Sequence, residues 1–430
     1  MIGIRREDKS IWERRVPITP STVRKLVAEG IEVRIQPSKR RVVPDDEYRD
    51  AGATVIDDLS PCSVVFGVKE MPDDFFQKGQ AYVFFSHTIK GQPYNMDMLR
   101  ALRAAGAHLI DYERIVDEKG RRLVLFGRFA GLAGMVDALC FYGRRLAHEG
   151  IDTPLLTMKA CHEYDNLEEA KAAVTAVRDA IAAGGWPREA GPLVTGFAGY
   201  GNVSRGAQEI FDLLDPQEIM PSALATATFT SSIVKVVFAE SDMVRPVDSA
   251  HPFALQDYYD HPEKYRSRFS DYVPHVDLLV NAIYWEERYP RLITKEELAK
   301  KWGRTKRPRF VADISCDVNG SVEFLEKTTD PGNPTFVYEP ATGRVIDGVE
   351  GDGPVLLAVD ILPCELPRES SRAFSELLEP FLRAMDKADF SKPPDEIGLP
   401  DPIRAALILK DGRFTNEYRS MRPFLEGDDS

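Results

Sequence analysis

Histidine is scarce in this 430-residue chain, seven in all, and cysteine is scarcer, at five. The cysteines stand at 62, 140, 161, 316 and 364, with no C-x-x-C pair among them. An odd count without paired spacing argues against a disulfide framework and for a reduced, intracellular chain. Cys161 and His162 are neighbours, but no matching ligand pattern accompanies them, so no metal is expected. No apolar run approaches the roughly 18 residues of a membrane span. No signal or transit segment is expected, because "MIGIRRE" already reads as a first strand. The expected location is cytoplasmic. Positive charge is not in surplus either: 55 basic against 68 acidic residues leave a formal net charge of −13. That balance argues against a nucleic-acid backbone or an anionic membrane as the main partner.

What is present is a sequence built for cores. Hydrophobic residues make up 43%, and the length suggests about two or three domains. The first 115 or so residues alternate between strand and helix patterns. "IGIRRE", "IEVRIQP", "SVVFGVK", "AYVFFSH" and "AHLIDYE" read as strands. "TPSTVRKLVAEG" reads as a helix with Thr19 as N-cap, Pro20 in the first turn and Gly30 at the stop. Such alternation with short connections predicts an open parallel α/β sheet. Three of these apolar strands end in ionisable groups, at Lys69 and Glu70, at His87, and at Asp111 and Glu113. Charged residues are among the least often buried, yet ligands of open α/β sheets bind beyond the carboxyl ends of the strands. Lys69, His87 and Glu113 are therefore expected side by side at one sheet edge.

A second unit is expected after the small-residue-rich helix "FGRFAGLAGMVDALCFYGRRLAHEG". "GPLVTGFAGYGNVSRGAQEIFDLL" reads as a strand from Leu193 to Ala198, a turn with Gly199 and Gly201, and a helix from Asn202. A G-x-G turn between strand and helix lets the backbone approach a pyrophosphate, and the first helical turn (Asn202, Val203, Ser204, Arg205) supplies N–H donors. The third fingerprint position holds Ser204, with Gly206 two residues on. The next strand, "QEIM", ends at Pro221–Ser222 without the carboxylate that holds an NAD ribose. On that ground, with Arg205 or Ser222 to contact a 2′-phosphate, NADP(H) is favoured and NAD(H) is the alternative. Strands follow in "IVKVVFA", "DLLVNAIYW" and "RFVADIS", and an aromatic, charged loop at about 248 to 272 is expected to line a substrate mouth. The segment after 350 is expected to fold back onto the first domain. Two Rossmann-like parallel-sheet domains with a cleft between them result: 1–135 plus 346–430 for substrate, and 136–345 for the dinucleotide.

Hydride transfer at an amine-bearing carbon needs a base for the nitrogen's proton and cations for substrate carboxylates. A desolvated lysine has a lowered pKa, histidine is the usual second proton carrier, and arginine grips carboxylates with a two-point fork. Lys69, His87, Arg15 and Arg122 are the candidates.

"EDKSIWERRVPITP" resembles the opening of the alanine dehydrogenase and transhydrogenase superfamily. With "GVKEMP", "FFSHTIK", "GRRLVLFGRFAGLAGM", "GYGNVSRGAQEIF" and "DISCDVNGSVEFLEKTT", nearly the whole chain resembles the lysine-ketoglutarate reductase part of α-aminoadipic semialdehyde synthases. The resemblance implies reductive condensation of L-lysine with 2-oxoglutarate to saccharopine, using NADPH. It implies Lys69 as base for the amine and His87 as acid–base group, with Arg15 and Arg122 clamping carboxylates. Lys9, Glu13, Glu70, Lys90 and Glu113 would surround them, Phe126 would pack near the substrate, and Asp313 or Asp317 would lie near the nicotinamide. It also implies a separate saccharopine-oxidising enzyme, because a second half carries that step in many synthases. The alternatives are an alanine-type amino-acid dehydrogenase and a catalytically inert module that senses NADPH or lysine.

Overall fold

The computed structural model describes residues 1–426; the last four residues of the acidic end "EGDDS", expected to fray, lie outside the described residues. The chain forms two compact units. One comprises Met1–Phe126 with Pro367–Ser430, and the other Gly127–Leu366.

The first unit opens with strand β1 (Ile2–Ile4), helix α1 (Pro20–Ala28), β2 (Val33–Ile35), α2 (Asp45–Asp50), β3 (Thr54–Val55), β4 (Val64–Phe66), β5 (Ala81–Phe84), α3 (Met96–Ala105) and β6 (His108–Asp111). Every residue of β4, β5 and β6 is buried, as continuous apolar runs require when both sheet faces are covered. Helix α1 starts and stops where its punctuation predicts, with Pro20 in the first turn and Gly30 at φ +83°. Thr19 occupies the N-cap without a side-chain cap bond; its hydroxyl meets Ser21 and Ser375 instead.

The second unit begins with the long helix α4 (Gly127–His148) and α5 (Leu167–Ala180), then β7 (Leu193–Ala198), α6 (Asn202–Phe211), β8 (Gln217–Ile219) and β9 (Ile233–Phe238). It continues through α7 (Glu240–Met243), β10 (Val244–Pro246), α8 (Leu255–Asp260), β11 (Tyr265–Ser267), β12 (Leu278–Asn281), α9 (Lys295–Thr305), β13 (Phe310–Asp313), β14 (Thr335–Glu339), β15 (Arg344–Asp347) and β16 (Val355–Leu357). The chain then returns to the first unit as α10 (Pro367–Lys387), β17 (Leu407–Lys410) and β18 (Arg413–Phe414). Phe374, Leu378, Leu382 and Met385 of α10 join the first unit's core.

Each unit holds an eight-stranded sheet, in the orders β18-β17-β6-β5-β4-β1-β2-β3 and β15-β14-β16-β13-β12-β7-β9-β8. Both are parallel through their centres, and both end on one side in antiparallel strands, β17–β18 and β14–β15. The expected Rossmann-like parallel α/β architecture is thus present in both units, with antiparallel strands added at one edge of each sheet. The boundaries also move, from 135/136 and 345/346 to 126/127 and 366/367. Helix α4 is continuous for 22 residues, so position 135 would cut it. β16 lies between β13 and β14 in the second sheet, so residues up to it cannot leave that unit.

Candidate active site

In the first unit β4, β5 and β6 are consecutive parallel neighbours, in register at Phe66↔Val83 and Phe84↔Asp111. Pairing persists just past the strands, through Gly67 N–H to Val83 O at 3.0 Å and Phe85 N–H to Val68 O at 3.1 Å. Lys69 and His87 each lie three residues beyond a strand end, on adjacent strands, and both are half-buried. His87 has φ +48°. Left-handed backbone costs a residue with a Cβ about 1–2 kcal/mol, and such strain gathers at functional sites.

Glu70 ties this edge together. Its Oε1 lies 2.8 Å from His87 Nδ1, and its Oε2 lies 2.8 Å from Lys9 Nζ. Asn95 donates to the same Oε1 at 3.2 Å and to Ser86 O at 3.0 Å. Burial raises the Glu70 pKa, but the bonds from His87 and Lys9 outweigh it and hold the carboxyl well below the usual range. An ionised carboxylate only accepts, so His87 Nδ1 carries the hydrogen and Nε2 is left as the working nitrogen.

Behind His87 lies a residue that the strand pattern noted and assigned no role. Asp111 is fully buried; its Oδ2 accepts from the Ser86 hydroxyl and, at 3.2 Å, the Ser86 N–H, while Oδ1 accepts from Glu113 N–H at 2.8 Å. Burial and the nearby Glu113 charge raise its pKa. Ser86 and Asn95, too, have ordinary sequence contexts, and only the fold reveals them. Glu113 meets Arg122 at 3.0 Å, brought there by the Val116↔Arg122 bridge. Arg15 stands differently from an open clamp. Its Nε and Nη2 donate to the two oxygens of Glu13 at 2.9 and 2.6 Å, and its guanidinium lies 4.2 Å from the centre of the Phe126 ring. Arg15 and Glu13 are both buried, and Phe126 in turn stacks on Phe374 at 4.3 Å. Lys90 is exposed.

The second unit carries the glycine turn between β7 and α6. Gly199 has φ +92°, and a Cβ there would stand 3.2 Å from Ala282 O; at Gly201 the same position is open. Ser204 is buried and accepts from the Gln208 side chain at 2.9 Å. Close packing falls to Gly206, where a Cβ would come 2.1 Å from Arg128 O of α4. Its counterpart Gly131 would come 1.9 Å from Val203 O. Two glycines facing across α4 and α6 thus let two helices approach closely, where the third fingerprint glycine elsewhere serves helix–strand packing.

The strand beside β7 is β9, with β8 at the sheet edge. That corrects the ground for favouring a 2′-phosphate. Ser222 follows the edge strand, one strand further from the turn, and is exposed, as is Arg205. The neighbouring strand, β9, ends two residues before Glu240. Glu240 accepts from Tyr200 of the glycine turn at 3.0 Å and from Tyr259 at 2.8 Å. It lines a cavity of about 370 Å³ with Gly199, Tyr200, Gly201, Tyr259 and Ile283. The open turn, the start of α6 at Asn202 and this cavity fit a dinucleotide. Glu240 was missed because sequence order put β8 in the place that β9 occupies.

Asp313 ends β13 and is 1% exposed; Asn281 and Ser315 donate to its Oδ1 at 3.0 and 2.6 Å. Burial raises it to about 6 despite those bonds, and its Oδ2 has no hydrogen-bond partner among the described residues. Asp317 lies in the exposed turn that follows. Among the described residues no group of His, Cys, Asp and Glu is arranged to hold a metal, and no helix is long and apolar enough to cross a membrane.

Comparison with known proteins agrees with this architecture. Residues 3–133 match the family model "Alanine dehydrogenase/PNT, N-terminal domain", and residues 221–417 match "Alanine dehydrogenase/PNT, C-terminal domain". The mitochondrial α-aminoadipic semialdehyde synthase of Mus musculus is 35% identical over 99% of this chain and 48% of its own length. The synthase of Arabidopsis thaliana is 36% identical over 97% of this chain and 41% of its own length. This chain therefore spans about half of these relatives or less. Saccharopine dehydrogenase [NAD(+), L-lysine-forming] of Emericella nidulans is 28% identical over 89% of this chain and 91% of its own. A solved L-alanine dehydrogenase superposes with a TM-score of 0.65 at 19% identity, covering 98% of this chain and 99% of that one, which shows the fold.

Proposed function

The chain belongs to the alanine dehydrogenase/PNT family, and from that membership we propose that it is a nicotinamide-dependent oxidoreductase acting on a C–N bond, joining L-lysine to 2-oxoglutarate as saccharopine or cleaving it in reverse. The observation that carries the reading is the Lys69–Glu70–His87 edge: two proton carriers at the ends of adjacent strands, one oriented by a buried carboxylate. The names of the synthase and saccharopine dehydrogenase relatives supply the substrate class.

In this reading the first unit does the proton work. Lys69 takes a proton from the lysine ε-ammonium so that its nitrogen can attack C2 of 2-oxoglutarate. His87 Nε2 delivers a proton to the hydroxyl that leaves as water when the carbinolamine becomes an imine. In reverse the same groups exchange roles, as a general acid–base pair must. Arg122, exposed and anchored by Glu113, has donors to spare for a substrate carboxylate. Arg15, locked on Glu13, instead contributes fixed positive charge beside Phe126.

The second unit would hold the cofactor through Gly199, Gly201 and the first-turn amides of Asn202, Val203 and Ser204. Bound there, the nicotinamide supplies or accepts the hydride. Glu240 supports NAD(H): a carboxylate accepts from a ribose diol and repels a 2′-phosphate. Asp313, buried at a strand end with an open oxygen, is favoured over the exposed Asp317 as the acid near the nicotinamide.

The test is cofactor oxidation by the purified chain with L-lysine and 2-oxoglutarate, with NADH and NADPH in parallel. Ammonium in place of lysine and pyruvate in place of 2-oxoglutarate are the controls. Turnover that needs both lysine and 2-oxoglutarate is the expected result. Turnover with ammonium and pyruvate alone would move the chain to the alanine-type reaction.

A further inference from the structure

Glu7 has no part in the chemistry described above, yet it is only 8% exposed. It lies three residues past β1. Strands β1 and β4 pair as far as Ile4↔Phe66, and Arg5 N–H closes the ladder on Phe66 O at 2.8 Å. Beyond that point the amides following β4 need another acceptor, because buried backbone N–H groups are almost always satisfied. The Glu7 side chain provides it. Oε1 accepts Val68 N–H at 2.7 Å, and Oε2 accepts Lys69 N–H at 3.0 Å. Gly67 makes the approach possible: a Cβ there would stand 3.3 Å from Glu7 Oε1 and 2.8 Å from the Met71 methyl.

We propose that Glu7 is a positioning residue for Lys69: its ionised carboxylate fixes the backbone from which the Lys69 amine reaches the reacting centre, and protonation of Glu7 loosens that hold. The catalytic half of the proposal rests on the reading of Lys69 as the base. The chemical reason is simple. A carboxylate accepts strongly through both oxygens, whereas a carboxylic acid turns one of them into a hydroxyl, a poorer acceptor whose hydrogen must point away from the N–H.

The surroundings place this change near neutrality. Burial and the Glu13 charge push Glu7 up to about 7, against the pull of the Val68 and Lys69 amides and of Arg5. The charged or titratable groups that act on it are Glu13, itself paired with Arg15, Arg5, itself paired with Asp8, and the Tyr112 hydroxyl. Both amides should therefore be held while Glu7 is ionised, and one should loosen once it is protonated.

The experiment compares the full-length chain with its Glu7→Gln variant by hydrogen exchange, read by mass spectrometry on peptides spanning Val68 and Lys69, at about pH 6 and about pH 8. A glutamine keeps one acceptor oxygen and sets an amide against the other N–H. Exchange of this peptide should accelerate about tenfold in the variant at the higher pH, as loss of one hydrogen bond implies, with β5 unchanged. The wild type should show the same loosening on acidification, after correction for intrinsic rates. In turnover, kcat should fall roughly 10–100-fold, the scale of a small misplacement, with KM little altered. The part of the acid limb of kcat that Glu7 is expected to cause near pH 7 should disappear in the variant. Should the variant fail to fold, the wild-type pH series alone decides. Unchanged exchange at Val68 and Lys69 between the proteins, or across pH in the wild type, overturns the proposal. Altered exchange in a wild type without lysine-dependent turnover keeps the backbone role and overturns the base assignment instead.

Discussion

Glu70 Oε1 and His87 Nδ1 lie 2.8 Å apart, and that contact decides which imidazole nitrogen keeps its lone pair. The carboxylate fixes the tautomer and stabilises the imidazolium that forms when Nε2 takes a proton. It does so from the residue next to Lys69, so one strand end carries both the proposed base and the carboxylate that orients His87.

Glu70→Gln should lower kcat by about 10²-fold, the low end of the 10²–10⁴ that general acid–base catalysis contributes. The Glu70 pKa is depressed in the fold, so the stability it contributes is present above its ordinary value of 4.5 and is lost as pH falls through the folded value. Glu70→Gln should therefore reduce the acid sensitivity of the melting temperature. A pH series of thermal melts checks this, and an unchanged slope would count against the buried charge pair.

Lys69→Met should remove most turnover while leaving the cofactor's stabilisation of the fold intact, because the glycine turn belongs to the other unit. Thermal shift with NADH and with NADPH, alongside the activity assay, separates the two effects. Full activity in the variant would exclude Lys69 as the base.

Glu240→Arg should move preference from NADH towards NADPH by about tenfold or more, equivalent to roughly 1.4 kcal/mol. Fluorescence titration of each reduced cofactor measures this without any substrate. A wild type that already prefers NADPH would refute the role given to the carboxylate.

Gly206→Ala and Gly131→Ala each place a Cβ against backbone oxygen, at 2.1 and 1.9 Å. Neither contact has a side chain that can swing away, so α4 and α6 must separate. Each substitution should cost about 1–3 kcal/mol or more, read as a lowered urea midpoint. A variant as stable as the wild type would show that the helices tolerate a wider spacing.

Asp137 and Glu365 form a second buried pair. Asp137 Oδ1 accepts Cys161 N–H at 2.7 Å, while burial raises Asp137 well above its usual range and Glu365 to about 7. A raised folded pKa contributes stability fully present below about 4.5 and lost as pH climbs through about 7. Glu365→Gln should flatten the decline of stability between those limits. Urea unfolding across that range tests it, with an unflattened curve as the contrary result.

Much of this was legible in the residues. Apolar runs ending at Lys69, His87 and Glu113 announced a sheet edge, and G-x-G between a strand and a helix announced the turn. Thr19, Pro20 and Gly30 marked helix α1. Strand order was not legible. Chain succession suggested β8 beside β7, whereas the longer and more apolar β9 takes the place beside β7 and brings Glu240 to the turn. The left-handed backbone of His87 leaves no trace in the sequence around it, and the contacts of Glu70 and Asn95 beside it come from distant positions. Glu7 and Asp111 were equally hidden, because a carboxylate that serves backbone amides looks in sequence like any other acid.

The first unit's sheet takes β17 and β18 from the far end of the chain, more than 270 residues after β6 closes its parallel part. During synthesis the second unit, an unbroken stretch from Gly127 to Leu366, has all its strands before the first can bury the outer edge of β6. Until then β6 offers an open row of amides and carbonyls to any passing strand. The second unit is thus complete while the first still waits for β17 and β18, and the first is the unit that nascent-chain chaperones would need to shield.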